Sequence, residues 1–351
     1  MRRPAPFAAL VLLVAAVPAA RAAGGAGADI LRAPVSARFA ALADASTALG
    51  EGLTSIHGNP AGLALAQRPQ AGTFHREGLA GAAADVVAVL VPLPTISTAV
   101  LGTSLLWSRL GQVDVLSTNP DGSFRDERRI SAGSDLLVSL AAAYSIPRQE
   151  GPYFNLDLFP NGPDHHVGVT ARLLRSTLTE QYTAHTLCVD AGYLAVMPSS
   201  GTRIGLSVQN MGSGLKYKKE LDSLPLVYRF GVAWPRVLPR LLPSPPSLSL
   251  EAAADSEKTV FARFGLEWKM GRALTYRAGY ERTKKENRWS AGIGLNIPAP
   301  WSGPMQMDYA IAPIGSLGFT HLLSVTCEFA TPPHRASRKE TEKAVPARKF
   351  L

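Results

Sequence analysis

Arginines and carboxylates on alternate residues of otherwise apolar segments are the side chains of this sequence best placed to do chemistry. Arg172, Arg203, Arg229, Arg263, Arg277 and Arg288 hold such positions, as do Asp190, Glu267, Glu281, Asp308 and Glu328. Successive side chains of a β-strand point to opposite faces, so these charges collect on one face and leave Leu, Phe, Tyr and Trp on the other. The near balance of sign fits an internal ion-pair network holding an inserted segment; an ion-selective lining would be biased to one sign. A lumen that merely solvates its charges is the equal alternative. Neither arrangement requires catalysis.

Other chemistry has little support. The sequence holds no Gly-rich phosphate loop, no paired-carboxylate motif and no Ser/His/Asp elbow. His185 and His321 are the candidate bases of an enzyme assembled from scattered strands, but a lone strand histidine is ordinarily structural. The chain is therefore expected not to be an enzyme. Cys188 shares a face with Asp190 while Cys327 lies on an apolar face, and His165-His166 is an isolated pair. No disulfide, metal or other cofactor is expected from these residues.

The elements that must carry the charges are strands. Tyr228, Phe230, Val232 and Trp234 oppose Arg229, Gly231 and Ala233, and Leu274, Tyr276, Ala278 and Tyr280 oppose Thr275, Arg277, Gly279 and Glu281. Ala262 to Trp268 and Arg288 to Leu295 repeat the pattern. Glycine on the polar face leaves interior space, which distinguishes a transmembrane β-barrel from a soluble sandwich. The spacing predicts about fourteen strands, an even number that returns both chain ends to one side. The third and fourth, 97–117 and 124–146, can each be split. Connections at 119–122, 216–223, 256–257 and 284–287 then fall outside the cell, and those at 92–94, 147–164, 199–201 and 235–246 fall in the periplasm. Short outer loops disfavour a large solute vestibule. Trp107, Trp234, Trp268 and Trp289 sit near strand ends, where aromatic girdles belong.

Four regions follow. Residues 1–22 read as a secretory signal, with Arg2 and Arg3, an apolar run from Phe7 to Val17, and Ala20-Arg21-Ala22 before the cut. Residues 23–68 form an N-terminal periplasmic plug segment, 69–329 the outer-membrane barrel, and 330–351 a basic, disordered tail. The formal charge is +9, but three arginines fall in the signal and the tail carries six cations against two acids, which leaves +2 for the body. Charge confined to appendages gives no argument for nucleic acid.

Within the plug segment, Ser36-Ala37-Arg38, Ala45 to Ala48 and Asn59-Pro60-Ala61-Gly62-Leu63-Ala64 form a signature. Asn can bond irregular backbone, Pro fixes the turn, and Ala and Gly permit close approach to a wall. These stretches resemble the N-terminal signature shared by PorV/PorQ outer-membrane barrels and FadL-type transporters. Gln209 to Gly212, Leu224 to Leu226 before Arg229 to Val232, Gly265 to Glu267, Arg277 to Tyr280, and Asp308 to Ala310 through Leu317 to His321 resemble PorV/PorQ strand signatures, in order. The resemblance implies a fourteen-stranded barrel with a hatch, surrounded by outer-membrane lipid in a diderm bacterium. On the PorV side it implies a type IX-like secretion scaffold or cargo shuttle, with a translocon and secreted cargo as partners. On the FadL side it implies transport of a hydrophobic small molecule through the lumen. A purely structural barrel is the third alternative. The chain departs from the family at Ala43-Asp44, where two glycines are usual, and at Glu51-Gly52, which replaces an acidic pair.

Overall fold

The computed structural model describes residues 28–93, 98–147, 162–179, 181–218, 220–237, 244–299, 303–314 and 318–329. The signal, the tail, most of the 147–164 connection and the middle of the 235–246 connection lie outside them.

Alternation of apolar and small or polar residues builds eighteen strands in the described residues. The first half contains β1 (Gln70–Glu77), β2 (Ala83–Pro92), β3 (Ala99–Arg109), β4 (Gln112–Thr118), β5 (Phe124–Ser131), β6 (Gly133–Ile146), β7 (Asp164–Leu178), β8 (Tyr182–Val196) and β9 (Arg203–Gly212). The second contains β10 (Leu215–Tyr217), β11 (Glu220–Asp222), β12 (Val227–Trp234), β13 (Ser247–Asp255) and β14 (Val260–Met270). It closes with β15 (Leu274–Arg282), β16 (Asn287–Ala299), β17 (Gly303–Pro313) and β18 (Phe319–Glu328). Fourteen of them form a closed antiparallel barrel sealed by β1 against β18, while β4 with β5 and β10 with β11 are separate hairpins. Closure leaves no unpaired strand edge around the wall.

The two strands expected as 97–117 and 124–146 are both split. Their outer portions leave the barrel as β4 and β5, turning at Gly111 (φ +86°) and Gly133 (φ +155°), conformations that favour glycine. Apolar alternation continues from Leu105 into Val113 and Val115, so periodicity does not separate a wall strand from a free hairpin arm. The hairpin exposes Val113, Val115, Leu116 and Phe124, and it makes this connection far longer than a short loop.

The wall is apolar outside and packed or polar inside. Val87, Leu101, Leu140, Phe230, Tyr276 and Trp289 are exposed, as are Trp107, Trp234 and Trp268. An encircling apolar surface of this kind fits lipid. Cys188 faces inward and is buried, Cys327 is half-buried on β18, and both are free. His185 and His321 project outward, and His321 pairs with the Tyr309 hydroxyl at 2.7 Å on the outer surface.

Inside the barrel lies an inner segment running from residue 28 to Pro69. It contains a short helix, α1 (Ala37–Ala41), and 3₁₀ turns at Asp29–Leu31, Gly52–His57 and Pro60–Leu65. Ser36 caps α1, its side chain accepting from the Phe39 N–H at 3.2 Å. The segment ends beside the closure of the barrel, where the Phe329 N–H donates to the Pro69 carbonyl. It begins at the opposite, far end, where Arg32 reaches Glu257 at 2.8 Å in the β13–β14 connection. The described part therefore threads the lumen from one end to the other.

Candidate functional site

The inner segment is held differently on its two sides. Its second half meets an apolar wall: Leu53, Ile56 and Leu63 form one buried cluster with Phe74, Leu90, Leu106, Leu137 and Leu174 from β1 to β7. Its first half also packs on apolar groups, Ala37, Ala40 and Ala41 against Ala310 and Leu322, and Phe39, Leu42, Ala48 and Leu49 against Ala233, but adds charged contacts. Arg38 forks onto Glu267, Nε to Oε2 at 2.9 Å and a terminal nitrogen to Oε1 at 3.1 Å. Glu267 also accepts from Arg277 at 2.7 Å, and Arg277 continues to Asp308 at 2.7 Å. Glu51 bridges Arg203 at 2.9 Å and Arg38 at 3.7 Å. Burial opposes ionisation of Glu51, but the two arginines outweigh it and hold its carboxyl below the ordinary range.

A second network centres on Glu251. Its carboxylate accepts from the backbone N–H groups of Ser46 and Thr47 at 3.0 and 2.9 Å, and from Arg229 and Arg263 at 2.6 and 2.9 Å. Asp44 accepts from the same two arginines at 2.9 and 3.3 Å, and Arg263 extends to Glu281 at 2.8 Å. Arg288 continues to Glu281 and Glu286. Arg172 and Asp190 form a third group, paired at 2.5 Å and 2% or less exposed. Asn210, at a bulge between β8 and β9, accepts from Arg172 and donates its N–H to Asp190. Glu328 accepts from Gln70 at 3.1 Å.

The lumen charges named from the sequence fall in three groups rather than one, except Glu328, which meets Gln70 alone. Sequence reasoning missed Glu251 and Asp44. Glu251 was detectable, since Leu248 and Leu250 alternate with Ser249 and Glu251 as the other strands do. Asp44 lies in irregular backbone and carries no periodic signal. Ala43 and Asp44 adopt φ of +51° and +61°, a left-handed conformation glycine takes at less cost. The departure from the usual glycines thus supplies a carboxylate to Arg229 and Arg263.

Asn59-Pro60-Ala61-Gly62 lies against β7 and β8. The Asn59 side-chain oxygen accepts from the Ala61 N–H at 3.1 Å, and its amide donates to the carbonyls of Thr47 at 2.8 Å and Tyr193 at 2.9 Å. Pro60 opens the 3₁₀ turn. The glycines that allow close approach to the wall belong to the wall: a Cβ on Gly168 would lie 2.4 Å from Pro60, and one on Gly192 2.0 Å from Asn59. Gly62 instead makes room for Gly50 and Ser55 within the segment.

Two cavities flank the segment. The larger, about 790 Å³, occupies the far half of the lumen, where Ile30, Leu31, Phe39, Phe74, Leu79 and Phe261 supply apolar surface. The smaller, about 180 Å³, lies toward the barrel closure and is polar, with Arg38, Glu51, Gln70, Gln306, Asp308 and Glu328 among its lining residues. Ser36, Thr54 and Phe74 line both. They mark the constriction between the two spaces. Among the described residues no group of His, Cys, Asp and Glu has the arrangement of a metal site.

No protein-family model and no curated protein matches the chain. Solved structures do match its fold. The toluene transporter TbuX of Ralstonia pickettii is 11% identical with a TM-score of 0.55, over 84% of this chain and 98% of that one. The toluene transporter TodX of Pseudomonas putida is 11% identical with a TM-score of 0.51, over 83% and 96%. A FadL homologue of Pseudomonas aeruginosa is 10% identical with a TM-score of 0.50, over 84% and 98%. At such identities the likeness shows the fold, which is that of FadL-type outer-membrane channels. It supports the FadL side of the sequence resemblance and gives PorV/PorQ specifically no support.

Proposed function

We propose that this chain is an outer-membrane transporter of hydrophobic small molecules, and that residues 28–69 are its plug. The observation that carries this reading is the cavity of about 790 Å³ in the far half of the lumen, where Ile30, Leu31, Phe39, Phe74, Leu79 and Phe261 supply apolar surface between charged groups. A space of that size and lining suits a small-molecule ligand. The likeness in fold to toluene transporters adds to the reading, and the apolar outer surface suits surrounding lipid. On this reading the far end faces the exterior, and the end at which β1 starts and β18 finishes faces the periplasm. Ligand enters the cavity and waits above Phe74, with the plug in its closed position. The secretion-scaffold alternative, with a translocon and cargo as partners, has no cavity-level observation in its favour.

The test is uptake of radiolabelled toluene by proteoliposomes holding the purified full-length protein. Uptake above that of empty vesicles supports transport. Uptake equal to that of empty vesicles, together with co-purification of a translocon component from native outer membranes, returns the secretion reading.

A further inference from the structure

The outer surface of β7 and β8 changes character along the strands. It is apolar through Val169, Ala171 and Leu173 on β7 and through Val189 and Leu187 on β8. The next outward pair toward the far end is Arg175 opposite His185, and the pair after it is Thr177 opposite Thr183. Leu174 and Ser176 are buried while Arg175 and His185 are exposed, so both of the latter point away from the lumen. Tyr193, hydrogen-bonded to His165 at 2.6 Å, marks the other edge of the apolar stretch. The rise from Tyr193 to His185 is about 26 Å along the strand, which a tilt of about 40° reduces to about 20 Å across a bilayer. A barrel's lipid-facing band is about 25 Å tall. Arg175 and His185 therefore stand at its far boundary, where lipid head groups begin.

No Asp or Glu occupies an outward position of β6, β7 or β8. Among the described residues neither Arg175 nor His185 has a hydrogen bond or an ion pair. By contrast, His75 meets Asp85 at 2.7 Å on the outer surface of β1 and β2. In the Thr177–Thr183 pair one hydroxyl donates to the other at 3.1 Å, which leaves one hydroxyl hydrogen free. The cluster thus offers a guanidinium fork, an imidazole and a hydroxyl, with no acidic partner. Such a set matches a phosphate, whose oxygens take a bidentate arginine and further donors together. Leu173 and Leu187, one pair nearer the bilayer centre, give acyl chains an apolar wall directly below.

We infer that Arg175 and His185, with the Thr177–Thr183 hydroxyls, bind the phosphate of a lipid in the leaflet at the far end, a phosphomonoester foremost. The inference rests on the outer-membrane placement of the barrel and is independent of passage through the lumen. The acyl chains lie along the outer faces of β7 and β8.

The test is native mass spectrometry of the purified full-length protein in detergent with an equal mixture of dioleoyl phosphatidic acid and dioleoyl phosphatidylcholine. The wild type is expected to retain the phosphatidic acid by about tenfold or more over the phosphatidylcholine. Arg175→Gln should remove most of that preference, and Arg175→Lys and His185→Gln should each keep part of it. A retained heat-dependent shift in gel mobility shows that each variant is folded. Arg282→Gln, which removes an exposed guanidinium from the outer surface of β15, should leave the preference as in the wild type. Equal retention of the two lipids by the wild type overturns the site, as it would if Glu180 of the β7–β8 turn neutralised Arg175. An unchanged preference in R175Q, or an equal loss in R282Q, also overturns it. Complete displacement of the phosphatidic acid by inorganic phosphate would replace the lipid with a soluble anion. None of these outcomes bears on toluene uptake.

Discussion

On the proposed reading, side chains at the hubs hold residues 28–69 in the lumen. Removing one partner from a buried ion network leaves the others uncompensated and costs about 3–5 kcal/mol. Glu251→Gln is therefore expected to lower the thermal unfolding midpoint in detergent and to expose the 44–47 backbone to hydrogen exchange. Equal protection in the variant and the wild type would contradict the assignment of Glu251 as hub. His57, on the plug rather than on a strand, hydrogen-bonds Ser104 at 2.9 Å. Burial and then repulsion by Arg172 push its imidazole down to about 3. A withdrawn plug binds a proton on His57 below the ordinary value near 6.5 and the seated plug does not, so seating weakens as pH falls from 6.5 toward 3. Between pH 7 and pH 5 the loss is about 2 kcal/mol at most. Proteolysis of residues 50–65 should be faster at pH 5, and His57→Gln should flatten that dependence. The inward charges on the strands were legible in the sequence, because each strand states its own faces. Their partners were not: Arg229 and Asp44 are 185 positions apart, and Arg38 and Glu267 are 229.

At the scale of elements, the fit between plug and wall depends on glycine in particular strands. Gly192 of β8 has no room for a Cβ beside Asn59. Gly192→Val should leave the barrel able to form, as judged by a retained heat-dependent shift in gel mobility, while residues 59–62 lose hydrogen-exchange protection. Retained protection at Asn59 would show that the wall yields instead. Glycines at inward positions could be read from the alternation. Which plug atom each one admits could not, since that follows from how the irregular segment is threaded through the lumen. The β4–β5 hairpin was hidden for a related reason: a strand that leaves the wall keeps the same period as one that stays.

For the whole molecule, the decisive question is how the two cavities communicate. Phe74 stands between them with Ser36 and Thr54, and it is 2% exposed. Phe74→Ala removes the whole ring from this constriction and should raise small-solute conductance in planar bilayers several-fold over a nearly silent wild type. Unchanged conductance would place the barrier deeper in the plug. The sequence by itself determined the barrel and its fourteen wall strands, because strand alternation is a local property repeated along the chain. Only the tertiary structure decided that the described inner segment runs the length of the lumen and that its ion pairs go to one part of the wall. Those outcomes depend on where distant segments meet across the barrel, and no local period records that.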